Sequence, residues 1–424
     1  MSSSCSVNSK KIYPLGGLTA WLVCLSAGLF FFYEFFQLNL FDVINQSLRD
    51  DFQINARQLS WMSSTYVWAN ILFLLPAGVI LDRFSVQRVI ILAMTVCIVG
   101  TIGFGLSHSF FFASFFHFLT GIGNAFCFLS CVVLASRWFP PRRQAFVVGC
   151  LVTMAFFGGM MAHTPLAYLN ERFGWRQAMM IDGAVGFLLL LWVWFVVQDK
   201  PVLDVNEVDR KIEPLIPAFI AALRNRQTWM CGLYTSCLNL PIMVLGALWG
   251  ASYLTTVHHL STIAASKVIS CLFIGSMFGC PIVGWISDAL GRRKAPMGIG
   301  ALLTLLAFLP LFRGEALSEI LLGIIFFAIG FVTSAQVISY PCIAESNSAR
   351  NTGAATGIAS VIIMGGGGVG QVVFGQLVQH HAGMVSLNYS AIDFQFALWM
   401  FPVATCIALF ALAFTRETYC HRSN

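Results

Sequence analysis

Two stretches, GVILDRFSVQRV at residues 78–89 and GWISDALGRRKA at residues 284–295, carry the reading of this fold. Aligned, Gly78 falls on Gly284, Asp82 on Asp288, Ser85 on Gly291 and Arg88 on Lys294, each pair 206 positions apart (284 − 78). That offset is close to half of a 424-residue chain, so the chain contains one unit twice.

What fills each unit follows from composition. Hydrophobic residues make up 58% of the chain and charged residues 10%, too little charge to cover a soluble surface of this size. The apolar residues fall in twelve blocks, from 17–42 and 59–81 at the start to 353–379 and 394–415 at the end. Each is long enough to cross a hydrocarbon core of roughly 30 Å as a helix. The longest polar interval, QDKPVLDVNEVDRKIEPL from Gln198, leaves six blocks on either side. The expected architecture is an all-α membrane protein of two pseudo-symmetric six-helix halves, 1–198 and 229–424, joined by a cytoplasmic central loop, 199–228. Lys10 and Lys11 precede the first block, which lacks a small-residue cleavage site and so reads as a spanning helix, not a signal peptide.

Charge sets the expected orientation. With the N-terminus inside, 18 of the 24 Lys and Arg residues fall on the cytoplasmic side and 6 outside, which places both termini in the cytoplasm. The net charge of +6 then reports topology; no basic run alternates with aromatics as a nucleic-acid groove requires. The thirteen cysteines form no CxxC and no Cys/His set at metal-ligand spacing. Most sit in apolar blocks, where a thiol acts as a small hydrophobe. The pairs His258–His259 and His380–His381 read as loop histidines. No metal is expected.

The duplicated G-x-x-x-D loop resembles the signature of the major facilitator superfamily. RWFPPRRQAFVVG (137–149), FGWRQAM (173–179) and GAATGIASVIIMGGGGVGQVVFGQL (353–377) are similar to further parts of that family, in the family's order. The resemblance implies secondary transport by two rocking halves. It also implies a conformational latch that holds them shut on the cytoplasmic side, built from Gly78, Asp82, Arg83, Arg88, Gly284, Asp288, Gly291, Arg293 and Lys294. Physically, Asp82 and Asp288 stand at helix ends beside cations, where a carboxylate can cap a neighbouring helix and pair with arginine. One position departs from the family pattern: His117 stands before Gly121 and Gly123 where the family often carries an arginine. More loosely, YEFFQLNLF and the helix 11 stretch resemble the phagosomal amino-acid transporters and lysosomal dipeptide carriers of the same superfamily.

Within the first block, FFFYEFFQ (30–37) holds Glu34 among aromatics. A mid-membrane acid costs roughly 2.5–3.5 kcal/mol on insertion scales, so it needs a cavity or a partner. Tyr33, Glu34, Gln37 and Asn39 form a polar stripe that implies a water-accessible face. Desolvation disfavours a carboxylate's charged form, which makes Glu34 the candidate proton-coupling residue, with Asp182 next in line. Tyr33, Gln37, Tyr66, Asn70, His117, Asn124, His163, Asn239, Gln336, Tyr340 and Gln371 are the candidate lining of a substrate cavity. Asn239 precedes Pro241, where a lost backbone hydrogen bond predicts a helix break.

Gly365 to Gly368 is no phosphate loop, because no GK[ST] follows and no strand precedes it. With no ATP-binding motif and no catalytic constellation, uphill transport has to draw on an ion gradient, and neither a cofactor nor an enzymatic activity is expected. A cavity with one acid and no central arginine suits a neutral or zwitterionic nutrient. The expected function is proton-coupled uptake of an amino acid or short peptide by a monomer in a bacterial inner membrane. The alternatives are a drug or siderophore efflux antiporter, disfavoured by the missing G-P-x-x-G-G run in helix 5, and a non-transporting receptor.

Overall fold

The computed structural model describes residues 16–139, 141–199, 215–312, 317–347, 352–382 and 389–420, and among these every regular element is a helix. The side chains of Asp82, Arg83, Arg142 and Arg143 lie outside the described residues, as do 200–214 of the expected central loop.

The N-terminal half contains α1 (Leu18–Phe52), α2 (Ala56–Arg83), α3 (Val86–Leu106), α4 (Phe110–Trp138), α5 (Pro141–Met161), α6 (Thr164–Phe173) and α7 (Trp175–Val196). A short α8 (Leu215–Arg224) leads into the C-terminal half. There α9 (Arg226–Leu240) passes through a π-helical stretch, Pro241–Trp249, into α10 (Gly250–His258), followed by α11 (Thr262–Leu290), α12 (Lys294–Phe308) and α13 (Glu319–Thr333). The last helices are α14 (Ser339–Glu345), α15 (Thr352–Ala382), α16 (Ala391–Leu398) and α17 (Met400–Ala413).

Eleven helical spans among the described residues are long and apolar enough to cross a membrane. The remaining long helix, α2, carries Ser60, Ser63, Ser64, Thr65 and Asn70; of these Ser63 bonds Gln371 of the other half, whereas Ser64 and Thr65 bond back within the N-terminal half.

Three helices differ from the apolar blocks in instructive ways. At Pro241, where a break was expected, the span does not break but stays helical from Arg226 to His258: the ring removes a backbone donor, and the helix widens into a π stretch before α10 begins. The fifth span is the one that breaks. α5 ends at Met161, His163 has non-helical angles, and Pro165 sits in the first turn of α6, where its missing N–H costs nothing. The expected central loop contains α8, whose Ala222 packs with Cys231, Cys342 and Ile343.

Each half packs on itself. α2 and α3 lie on α4, and α1 on α5; in the other half α11 lies on α13, and α9 on α15 and α17. The halves meet along α2–α15, α5–α11 and α1 with the π stretch. The end where α1 turns into α2 is here the distal end, and the end bearing the Phe84–Ser85 turn is the proximal end.

Candidate functional site

Glu34 lies near the middle of α1, about 25 Å from either end at 1.5 Å per residue. It is fully buried. The Tyr66 hydroxyl donates to its Oε2 (3.0 Å) and lies 2.8 Å from its backbone oxygen. Oε1 has no hydrogen-bond partner among N–H and O–H groups; the Cys97 thiol is its neighbour. Gly123 of α4 supplies the room, since a Cβ there would strike Oε1. Tyr66 itself packs with Leu38, Val67 and Met243 of the opposite half. The carboxyl therefore sits one layer behind the contact between the halves, with Tyr66 in between.

The rest of the polar stripe turns elsewhere. Gln37 donates to the Asp182 carboxylate (2.5 Å), and the Tyr33 hydroxyl reaches the Asp182 carbonyl (3.4 Å), both inside the N-terminal half. Asn39 bonds back to the Phe35 carbonyl (2.6 Å). Tyr33, Glu34, Gln37 and Asn39 are all buried, so the face expected to meet water is packed against α2, α4 and α7 in this conformation.

The other cavity candidates divide. Gln371 links three elements: it accepts from Ser63 (3.1 Å) and donates to the Met243 carbonyl (2.8 Å). Asn70 is buried with its Oδ1 unpartnered, while Asn239 and Tyr340 are half-buried. Gln336 lies buried in a 3-10 turn whose carbonyl accepts from Thr235 (3.1 Å). Asn124 accepts from the Cys127 thiol (3.2 Å). His117 stacks on Tyr66 with ring centroids 5.3 Å apart and lies 4.2 Å from the Phe41 ring, so it belongs to the packing around Glu34. His163 faces Asp42 and the Phe273 ring, toward the distal end. Two surface grooves, of about 350 and 420 Å³, lie on α3–α4 and α11–α13, and neither contains a candidate residue.

Among the described residues, hydrogen bonds between the halves gather toward the distal end. Asn45 donates to the Leu248 carbonyl (2.6 Å), and the Ala251 amide donates to Asp42 (2.8 Å). The Ala56 amide meets Tyr389 (2.6 Å) and Gln379 (3.1 Å), and the Thr164 and Ser270 hydroxyls are 3.3 Å apart. The Arg49 guanidinium lies over the Tyr389 ring at 4.3 Å. The distal end is closed.

Sequence reasoning missed Asp42, Asn45 and Arg49. The first apolar block ends at residue 42, which would leave Asp42 at an interface, but α1 runs on to Phe52 and makes it interior. The signal was present: positions 42, 45 and 49 follow i, i+3, i+7 and share one helix face.

At the proximal end, the duplicated loops build two local networks. Arg293 pairs with Asp288 (2.6 Å) and with Glu345 (2.7 Å). Burial opposes its charge, but Glu345 and Asp288 outweigh that and raise its pKa. The α12 N-terminus is capped not by Asp288 but by Glu417, which accepts from the Arg293 and Lys294 amides (2.8 and 2.9 Å). Burial pushes the Glu417 carboxyl up, yet these amides hold it below its ordinary range. In the N-terminal half, Asp199 does the same for α3, accepting from the Gln87 amide (2.9 Å) and the Ser85 hydroxyl. Gly291 takes a left-handed φ of 59° to end α11, Arg88 is exposed, and a Cβ at Gly78 or Gly284 meets no described atom. Among the described residues the Arg293 network stays within one half.

A family model described as Major Facilitator Superfamily matches residues 23–370 and, in a second placement, 242–422. The uncharacterized transporter YybO of Bacillus subtilis (strain 168) is 25% identical over 194 residues, 46% of this chain and 45% of that protein. The match thus spans less than half of YybO. The probable galactarate/D-glucarate transporter GudP of the same organism is 24% identical over 331 residues, covering 68% of this chain and 71% of GudP. Among solved structures, a bacterial homologue of the human lysosomal transporter Spinster, inward-facing and occupied, has a TM-score of 0.75 at 18% identity, covering 93% of this chain and 97% of that one.

Proposed function

The chain belongs to the Major Facilitator Superfamily, and we propose that it is a proton-coupled uptake transporter for a small polar nutrient, with Glu34 as the proton carrier. The halves rock about the contacts of α2 with α15 and α5 with α11, and the distal end faces outward from a bacterial inner membrane, with both termini in the cytoplasm. The observation that carries the reading is the half-satisfied Glu34 carboxyl. One oxygen is held by Tyr66, the other lacks an N–H or O–H partner, and the site is sealed from water. An ionised carboxylate there lacks half of its solvation, so the closed state favours the protonated form. Opening toward Tyr66 restores water and lets the proton leave.

The solute is read as neutral or zwitterionic, an amino acid or short peptide. The two buried arginines among the described residues, Arg49 and Arg293, sit in the distal closure and the proximal network, so neither lies beside Glu34 and Tyr66 to neutralise an anion there. A second reading, uptake of a sugar acid, rests on the printed name of GudP. The test is accumulation of labelled amino acids, dipeptides and hexarates in inverted and right-side-out vesicles, with and without a proton gradient. Uptake of a neutral or zwitterionic solute that a protonophore abolishes supports the first reading. Gradient-driven hexarate uptake alone replaces it with the second, and equal uptake with and without the gradient removes the coupling.

A further inference from the structure

Beyond Glu34 and Asp182, another acid lies within a span. Asp42, two turns along α1, is 1% exposed, and His163, in the break between α5 and α6, is 0% exposed. Asp42 Oδ2 and His163 Nδ1 are 3.6 Å apart. Neither that oxygen nor either ring nitrogen has a hydrogen-bond partner. The other carboxylate oxygen accepts from the Ala251 amide at the start of α10 (2.8 Å), in the opposite half. The Phe273 ring of α11 lies 5.2 Å from the imidazole, closing the site from that side.

We propose that Asp42 and His163 form a proton-binding site that governs closure of the distal end. The inference rests on the alternating-access reading but not on Glu34. An isolated charge is expensive to bury, and an ion pair or a neutral pair much less so. With one proton shared between them, as carboxyl and imidazole or as carboxylate and imidazolium, Asp42 and His163 are neutral together and fit the sealed site. When the distal end opens, Ala251 withdraws and water reaches both groups. At neutral pH a hydrated carboxylate is ionised and a hydrated imidazole is mostly neutral, so the open pair carries a net charge of about −1. Closure therefore takes one proton from distal water, and opening returns it. No other bond changes.

The neighbouring elements leave this balance in place. Lys267 on α11 and Glu171 and Arg172 on α6 are exposed. Tyr253 and His258 on α10 bond each other (3.0 Å), and the π stretch carries no titratable side chain. On α1 itself, Arg49 is engaged with Tyr389, Asp51 pairs with Arg176, and Glu34 is bonded by Tyr66.

The experiment is pulsed EPR on protein in nanodiscs, with spin labels at the exposed positions Gln58 of α2 and His380 of α15, from pH 5 to 8.5. One proton linked at this site contributes about a tenfold fall in the closed-to-open ratio per pH unit across its titrating range. Asp42→Asn leaves only the imidazole, neutral when sealed and protonated when hydrated below about pH 6.5, so closure no longer falls with rising pH and instead weakens toward pH 5. His163→Gln leaves the carboxyl to take the proton alone, so closure is lost at a lower pH than in the wild type. Glu34→Gln removes the proton linked at Glu34, so the pH dependence of closure that persists in that background, and is lost when Asp42→Asn is added, belongs to this site and separates its failure from failure of coupling at Glu34. A wild-type distance that does not respond to pH, an Asp42→Asn profile matching wild type, or an unmoved His163→Gln profile overturns the proposal.

Discussion

The two ends of the same helix pairs differ. Toward the distal end, a Cβ added to Gly375 of α15 would lie 3.0 Å from the Ala56 carbonyl of α2, and one added to Gly159 of α5 would meet the Phe273 ring of α11 at 2.7 Å. Toward the proximal end of those four helices, a Cβ at Gly78, Gly357, Gly149 or Gly284 meets no described atom. Glycine is therefore in use at one end and idle at the other. A glycine on a helix face gives up helix propensity, and its return is close approach. The proximal glycines make sense as contacts of the other conformation, in which the distal end is open and the proximal end shut.

The largest effect that can break this comparison comes from filling the two ends separately. Gly375→Val is expected to overpack the distal contact by about 1–3 kcal/mol, shifting the population toward the distal-open form and stopping transport. Gly78→Val with Gly357→Val should leave the distal-closed form intact yet stop transport as well, because proximal closure is blocked. Distances across both ends, read by pulsed EPR in the two variants, should move in opposite directions. Movement in the same direction would mean that the glycines serve a single state.

A smaller effect sharpens the distal side. Tyr389→Phe keeps the ring under Arg49 and removes the hydroxyl that meets the Ala56 amide. A net hydrogen bond is worth about 0.5–1.5 kcal/mol, so the closed population should fall by roughly two- to tenfold, seen as faster labelling of the distal gap. Unchanged labelling would place the closure elsewhere along α2.

The smallest effects belong to the proximal network. The Asp288 carboxylate is 69% exposed and Arg293 keeps Glu345 without it. Asp288→Asn should therefore cost less than about 0.5 kcal/mol, leaving thermal unfolding in detergent unchanged while conformational exchange slows. Glu345→Gln, whose side chain is 14% exposed against an Arg293 side chain at 7%, should lower the unfolding temperature. If the two variants unfold alike, the network is not organised around Arg293.

The sequence revealed the fold because membrane spans and a duplicated loop are local signals: apolar length, glycine and charge at fixed spacing. The distortion at Pro241 was legible for the same reason, though it is a π-helical widening and not a break. The site was legible only in part. Glu34 announced itself as an acid among aromatics, but which way its stripe faces depends on how α1 is rotated against α2, α4 and α7. Gln37 and Tyr33 turned out to answer Asp182 rather than water. Asp42 was hidden by an apolar block that stopped ten residues before the helix does. The cap on α12 was illegible for another reason: it comes from Glu417, more than a hundred residues away.

Glu34→Gln tests the central claim most directly. The change keeps volume and hydrogen bonding to Tyr66 but removes titration, so insertion and folding should match wild type. The account predicts that uptake of the transported solute against its gradient fails, while counterflow of the same solute down its gradient persists and loses its pH dependence. Uphill accumulation at the wild-type rate with an unaltered pH profile would contradict it, leaving the Glu34 carboxyl as a packing group and moving the search for the coupling proton to Asp182.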